Sequence, residues 1–193
     1  EAVLLNPNRN PDWSRAEIEA ELRRMLGVHT IFWLGSGIEG DDTDGHIDDM
    51  VRFVARDAAV SIVEPDSSSP HYRALAENNE RLQDLRCLDG SRVEIVPLPM
   101  PDPLRMEDWR LEQLPASYAN FLIVNDAVVV PVFNQPRNDD RALGILRECF
   151  SGKQVVGLDA RKLVLEGGAI HCITQQPVSY THLRAHETEL HLV

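Results

Sequence analysis

Apolar residues at Ile18, Leu22, Met25 and Leu26 recur at helical spacing behind Ser14-Arg15-Ala16-Glu17 and stop at Gly27. A serine followed three residues later by a glutamate satisfies the first free amides of a helix reciprocally, and a glycine ends one, so the pattern predicts a helix over residues 15–26. Thr30-Ile31-Phe32-Trp33-Leu34 is apolar without alternation and predicts a buried strand. Residues 50–55 and 58–63 read as two further strands. Ser67-Ser68-Ser69-Pro70 then supplies cap chemistry with a proline for the first helical position, and Leu75, Leu82 and Leu85 mark a second helix that leads to a strand at residues 93–96.

The same order returns further on. Residues 119–124 and 127–133 predict a hairpin across Asn125-Asp126, a pair that tolerates positive φ. Ala142, Ile145, Leu146 and Cys149 give a third helix closed by Gly152, and residues 154–158 give another strand. Paired strands, a helix and a returning strand thus repeat about 60–70 residues apart, a period that suits an α/β fold of radially arranged ββαβ modules. The proline-rich residues 97–103 are the expected connection between modules, and no interdomain linker is visible.

Composition narrows the partners. A formal charge of −12 and a pI near 4.9, without any lysine- or arginine-rich run, argue against nucleic acid and against an anionic membrane surface, and favour a cationic ligand. The longest apolar stretch, residues 119–133, is interrupted by Asn125-Asp126 and Pro131, so it does not predict a membrane span. Three widely spaced cysteines make no disulfide framework and point to a reducing, cytoplasmic compartment. The chain opens on Glu1-Ala2-Val3-Leu4-Leu5, without a methionine and inside what reads as a strand, so it reads as a fragment. Residues 178–193 are histidine-rich, unlike everything before them, and read as a non-native tail. His182, His186 and His191 in that tail miss the zincin spacing by one residue.

Chemistry concentrates in Gly40-Asp41-Asp42-Thr43-Asp44-Gly45-His46-Ile47-Asp48-Asp49, and far downstream in Gly167-Gly168-Ala169-Ile170-His171-Cys172. The acidic stretch is not an EF-hand: with Gly45 at the turn position, the first ligand would be Gly40 and the bidentate acid Val51. Zinc would need more Cys or His at close spacing, and Cys87 and Cys149 stand alone in stretches that read as helices. Gly35-Ser36-Gly37-Ile38-Glu39-Gly40, with Glu64 further on, matches a dinucleotide fingerprint, but the aspartates that follow would repel a pyrophosphate and Gly45 would break the required helix. A guanidinium carbon, by contrast, needs a soft nucleophile, a carboxylate to hold the cation and an acid/base for the departing ammonia. Cys172, Asp48 and His46 match those needs. In an extended segment His46 and Asp48 would face one side, and Cys172 would be the fastest thiol to alkylate.

With these residues in view, the chain resembles the agmatine deiminases of the guanidine-modifying, peptidylarginine deiminase-like superfamily. The resemblance rests on Leu4-Leu5-Asn6-Pro7-Asn8-Arg9-Asn10-Pro11, on residues 40–53, on residues 118–143, and on residues 167–177 with His-Cys-Ile-Thr-Gln-Gln-Pro. It implies a five-bladed α/β propeller of which residues 1–177 are the C-terminal part of the catalytic domain, about the last three modules. It further implies that Cys172 is the nucleophile, His46 the general acid/base and Asp48 a ligand of the guanidinium. No cofactor and no metal are implied. The implied reaction converts agmatine to N-carbamoylputrescine and ammonia through a thiouronium intermediate, in putrescine formation, with a homo-oligomer as the possible full-length state. The family's further acidic clamp residues belong to an N-terminal half that this sequence lacks, and Ala169 stands where the family often has Asn. A protein-arginine deiminase would use the same three residues with a wider mouth, and a catalytically silent acidic scaffold remains the reading outside enzymes.

Overall fold

The computed structural model describes residues 1–41, 45–105 and 113–175. Asp42, Thr43 and Asp44, residues 106–112, and Gln176, Pro177 and the tail 178–193 lie outside the described residues, and with them the tail's histidines.

Helix α1 spans Arg15–Leu26. The Ser14 hydroxyl accepts from the Glu17 amide and the Glu17 carboxylate accepts from the Ser14 amide, while Gly27 ends the helix at φ 67. Such a cap stabilises a helix by about 1 kcal/mol. The residues that follow do not form the expected strand. Residues 30–38 run without a ladder: the Leu34 and Gly35 carbonyls accept from the Glu1 ammonium at 2.6 Å and the Ala2 amide at 3.4 Å, and the Gly35 amide and Ser36 carbonyl bond to the Asn78 side chain at 2.7 and 2.8 Å. Residues 2–5 form turns rather than a strand. An apolar run becomes a strand only where a neighbouring backbone offers a register, and here the paired contact stops after two residues.

The first ββαβ module is β1 (Val51–Ala55), β2 (Ala58–Val63), α2 (Tyr72–Leu82) and β3 (Glu94–Pro99). β1 pairs antiparallel with β2, and β2 pairs parallel with β3 through the α2 crossover. The central strand is buried at Ala59, Val60, Ser61 and Ile62. Helix α2 begins two residues after Pro70, with His71 at its cap, because Ser69 and Pro70 belong to a preceding turn. Cys87 lies beyond the helix, in a small bridge between Arg86 and Arg92.

Pro97 and Pro99 fall inside β3, where the sequence predicts a connection. The Glu94 and Met100 amides donate to the Asp57 and Val63 carbonyls, so the even-numbered amides of this edge strand face β2. The odd positions, where a proline's missing N–H costs nothing, face away.

The second module repeats the first with β4 (Leu122–Val124), β5 (Ala127–Val132), α3 (Pro136–Cys149) and β6 (Gln154–Asp159), in the sheet order β4-β5-β6. Asn125 makes the hairpin turn at φ 42. Helix α3 covers the face of Val128, Val130 and Val155: a side chain on Gly157 would meet Leu143 of α3 at 3.3 Å. The same helix touches β3, which joins the two modules into one core. The opposite face of the second sheet, carrying Val124, Val156 and Leu158, is exposed. Mixed α/β modules are thus present as expected, and no helix among the described residues is long and apolar enough to cross a membrane.

The dinucleotide-like glycines have a different use. Gly37 lies against Gly45, such that a side chain on Gly37 would sit 2.2 Å from the Gly45 Cα. Among the described residues no α-helix lies between Gly40, whose φ is 83, and β1. Gly37 and Gly45 let two backbones approach.

Candidate active site

The segment that carries His46 and Asp48 is not extended. Ile47–Asp49 form one turn of 3-10 helix with His46 at its cap, placed by the Asp41 carboxylate, which accepts from the Gly45 and His46 amides at 3.0 and 2.8 Å. The change of period matters. In a strand Asp49 would point away from Asp48, whereas in a tight turn both carboxylates enter one site.

Cys172 arrives on another tight turn. The chain leaves the short helix Val164–Glu166 through Gly167 at φ 88, and Gly168 lies so close to Cys172 that a side chain there would sit 2.6 Å from the Cys172 Cβ. The Thr174 amide and hydroxyl both bond to the His171 carbonyl, at 3.0 and 2.7 Å, and close the turn.

Asn120 joins the two pieces. It lies in residues 113–121, a buried segment without regular structure that the Ser117 hydroxyl ties to the Asp49 carbonyl at 2.7 Å. Its Oδ1 accepts from the His171 and Cys172 amides, at 2.9 and 3.3 Å. Its Nδ2 lies 3.1 Å from Asp48 Oδ2, 2.9 Å from Asp49 Oδ1 and 3.0 Å from Cys172 Sγ, so two hydrogens serve three acceptors. Around the Asp48 carboxylate the assembly converges: Oδ2 lies 2.7 Å from His171 Nδ1 and 3.4 Å from Cys172 Sγ, and Oδ1 lies 4.0 Å from His46 Nδ1. His46 Nε2 in turn meets Arg9 Nη2 at 3.1 Å. Of the residues singled out in the sequence, the structure therefore brings Asp48 and Cys172 into contact and sets His46 on the other oxygen of the same carboxylate. Asp49 stood in the acidic stretch without a role of its own, and Arg52 and Asn120 lay in stretches that carry the resemblance without being singled out. His171 gave only its place beside Cys172.

Arg52 of β1 closes the floor. Its guanidinium donates to the Phe121 carbonyl at 2.8 Å and lies over the Phe121 ring at 4.7 Å, and burial lowers its pKa against the raising effect of Asp48, Cys172 and Asp49.

The electrostatics contradict a pre-activated thiol. Burial of the sulfur, and then the charges of Asp49 and Asp48, push Cys172 up to about 12, with the Asn120 bond working the other way. A neutral thiol is also what can donate to Asp48. Burial alone would raise Asp48 too, but the bond and charge of His171 and the bond from Cys172 outweigh it and leave the carboxyl below its ordinary value. Asp49 goes the opposite way: burial, then Asp48 and Asp41, hold it well above the ordinary range, and its Oδ2 is buried without a hydrogen-bond partner.

That shift fixes a sign. A carboxyl whose folded-state pKa is raised contributes its full stability below about pH 4, where the unfolded chain is also protonated, and loses it as the pH rises through the folded value. The stability difference between the native chain and Asp49→Asn, from urea unfolding at several pH values, is expected to fall above about pH 4 with a limiting slope near 1.4 kcal/mol per pH unit. A difference independent of pH would show that Asp49 is ionised in the folded state.

Asp48, Asp49 and Cys172 bring one potential ligand atom each within 4.8 Å of one another. Two hard oxygens and one sulfur are a mixed donor set, and the Asn120 amide already engages all three side chains. The arrangement suits hydrogen bonding and nucleophilic chemistry.

An exposed cysteine on a tight turn, a His-x-Asp turn and the asparagine between them form one cluster of thiol, imidazole and carboxylate groups. The model of the Porphyromonas-type peptidyl-arginine deiminases matches residues 1–177, and the chain belongs to that family. An agmatine deiminase of Medicago truncatula is 38% identical over 91% of this chain and 52% of its own length. Among solved structures, a putative arginine deiminase from Porphyromonas gingivalis superposes with a TM-score of 0.86 at 41% identity, covering 91% of this chain and 51% of that one. The agmatine deiminase of Enterococcus faecalis superposes with a TM-score of 0.85 at 34% identity, covering 91% of this chain and 52% of that one. The chain thus spans about half the length of the curated relatives it matches.

Proposed function

We propose that residues 1–177 are the C-terminal part of the catalytic domain of an agmatine deiminase, the part that carries the nucleophile and the acid/base. The observation that carries this reading is the meeting of Cys172 and His46 around the two oxygens of Asp48, from positions 124 residues apart in the case of the cysteine. The relatives named agmatine deiminase and the acidic character of the chain support it. In the complete protein the two ββαβ modules, with residues 1–38 contributing to a third, would belong to a five-bladed propeller working in the cytoplasm, with agmatine breakdown feeding putrescine formation.

The chemistry follows from the charges. A thiol that burial and two neighbouring carboxylates push up to about 12 is a poor nucleophile, and a cation beside it would offset the carboxylates' part of that rise. A guanidinium seated against Asp48 supplies that charge, so the substrate itself promotes the thiolate. Sulfur then bonds to the guanidinium carbon, the thiol proton passes to His46, and His46 returns it to the departing nitrogen as the C–N bond breaks and ammonia leaves. In the second half His46 takes a proton from water and the oxygen bonds to the same carbon; the C–S bond then breaks, His46 returns its proton to the sulfur, the remaining hydroxyl proton passes to solvent, and N-carbamoylputrescine is released.

The test uses a chain of the relatives' full length, assayed for ammonia from agmatine and from an N-acylated arginine amide. Release from agmatine that disappears in Cys172→Ser is the expected result. Turnover of the arginine amide alone would assign the site to protein-arginine deimination, and no turnover of either would leave a binding scaffold.

A further inference from the structure

The motif Asn6-Pro7-Asn8-Arg9-Asn10-Pro11 carries part of the family resemblance, yet none of the chemistry above uses it. Its backbone is tied into a compact double turn. The Asn8 amide donates to the Asn6 side chain at 2.8 Å, the Arg9 and Asn10 amides both donate to the Asn6 carbonyl at 3.0 Å, and the Asn10 side chain donates to the Leu4 carbonyl at 2.8 Å. Pro7 and Pro11 restrict φ on either side. A loop fixed in this way has one long side chain aimed across 37 positions of sequence, and it ends on His46.

We infer that Arg9 is a positioning residue that sets the tautomer of His46, holding the ring proton on Nδ1. The inference rests on the reading of His46 as the acid/base. A guanidinium has five N–H donors and no acceptor, so the contact of 3.1 Å between Arg9 Nη2 and His46 Nε2 is a hydrogen bond only if Nε2 offers its lone pair. The single hydrogen of the neutral ring then lies on Nδ1. That nitrogen is the one turned toward Asp48 Oδ1, at 4.0 Å, where a carboxylate favours an N–H over a lone pair. Both neighbours therefore select the same tautomer, one from each side of the ring.

The assignment has a mechanistic consequence. In this tautomer the basic nitrogen is Nε2, so His46 takes up a proton only as Arg9 lets go of it. The imidazolium would face two more N–H donors if Arg9 stayed, and Asp48 remains on the Nδ1 side to balance the new charge. Arg9 thus keeps the ring oriented in the resting site and must move when the ring turns over a proton. Its exposure leaves it room to do so.

The test is nitrogen-15 NMR of the imidazoles in this 193-residue chain, recorded on the alkaline side of the His46 titration and assigned by loss of the signal in His46→Gln. In the native chain Nδ1 is expected to be pyrrole-like and Nε2 pyridine-like. Arg9→Met keeps the stem and removes the donors, and is expected to move the major form to Nε2–H, while Arg9→Lys, which keeps a cationic donor, restores the native pattern. A native ring already carrying its proton on Nε2, or an unchanged pattern in Arg9→Met, would overturn the inference. Turnover by Arg9→Met in a chain of the relatives' length separates it from the functional reading. A moved tautomer with an undiminished kcat would remove His46 from proton transfer and leave the positioning by Arg9 standing. A moved tautomer with kcat lowered more than KM is altered supports both.

Discussion

Alanine in place of His46 is expected to lower ammonia release from agmatine by about 10²–10⁴ in kcat, the usual range for losing a positioned acid/base. The proton has to leave a thiol whose pKa is pushed up to about 12 and reach a nitrogen leaving group, and His46 is the imidazole set on the Oδ1 side of Asp48. Asp48→Asn should behave differently. It removes the charge that would hold a guanidinium and the acceptor of bonds from His171 and Cys172, so KM should rise along with the loss of rate. Steady-state kinetics in a chain of the relatives' length distinguish the two. Unchanged kcat in His46→Ala, or an Asp48→Asn variant with native KM, would overturn the roles given to these residues.

Asn120→Ala is expected to be the most damaging change for stability. One small side chain accepts from two backbone amides of the cysteine turn and donates into a cluster of two carboxylates and a sulfur. Its removal leaves Asp49, already buried with one orphan oxygen, without its remaining side-chain donor. Losing buried bonds of this kind costs about 2–4 kcal/mol here, taking about 1–3 for each stranded polar group and allowing for relaxation. That corresponds to a fall in Tm of roughly 5–15 °C for a chain of this size. Thermal unfolding checks it, and a shift below a couple of degrees would mean that the cysteine turn holds itself without Asn120. Asn120→Asp should be no better, because it would add a third carboxylate and remove the donors.

Local signals in the sequence were sufficient wherever a residue's conformation depends on its near neighbours. The limits of α1 follow from Ser14, Glu17 and Gly27. The hairpin turn follows from Asn125, and β2 follows from an apolar run of the right length broken only by Ser61. The repeat of strand pair, helix and strand was legible for the same reason, as were the types of residue a guanidinium site needs. The proline-bearing strand was not, since whether Pro97 breaks a ladder depends on which edge of β3 faces β2. Nor was the absence of a ladder at residues 30–34, which depends on neighbouring backbone and not on their own pattern.

The composition of the site was decided mainly by tertiary structure. Asp49 joins it only because residues 47–49 coil into a 3-10 turn, and Arg52 because β1 passes beneath that turn. Asn120 and Arg9 lay in stretches that carry the family resemblance, but their roles were not legible for a more general reason: an amide or a guanidinium has no preferred use, and each gains its role from partners 51–72 and 37 positions away. The same distance explains the thiol. From its neighbours in sequence Cys172 looked ready to react, but its pKa is raised by burial of the thiol in the folded chain and then by two carboxylates more than 120 residues upstream, and charge acts through space. The sequence by itself determined the modules and the candidates for nucleophile and acid/base. Tertiary contact decided which groups surround them, and so their protonation.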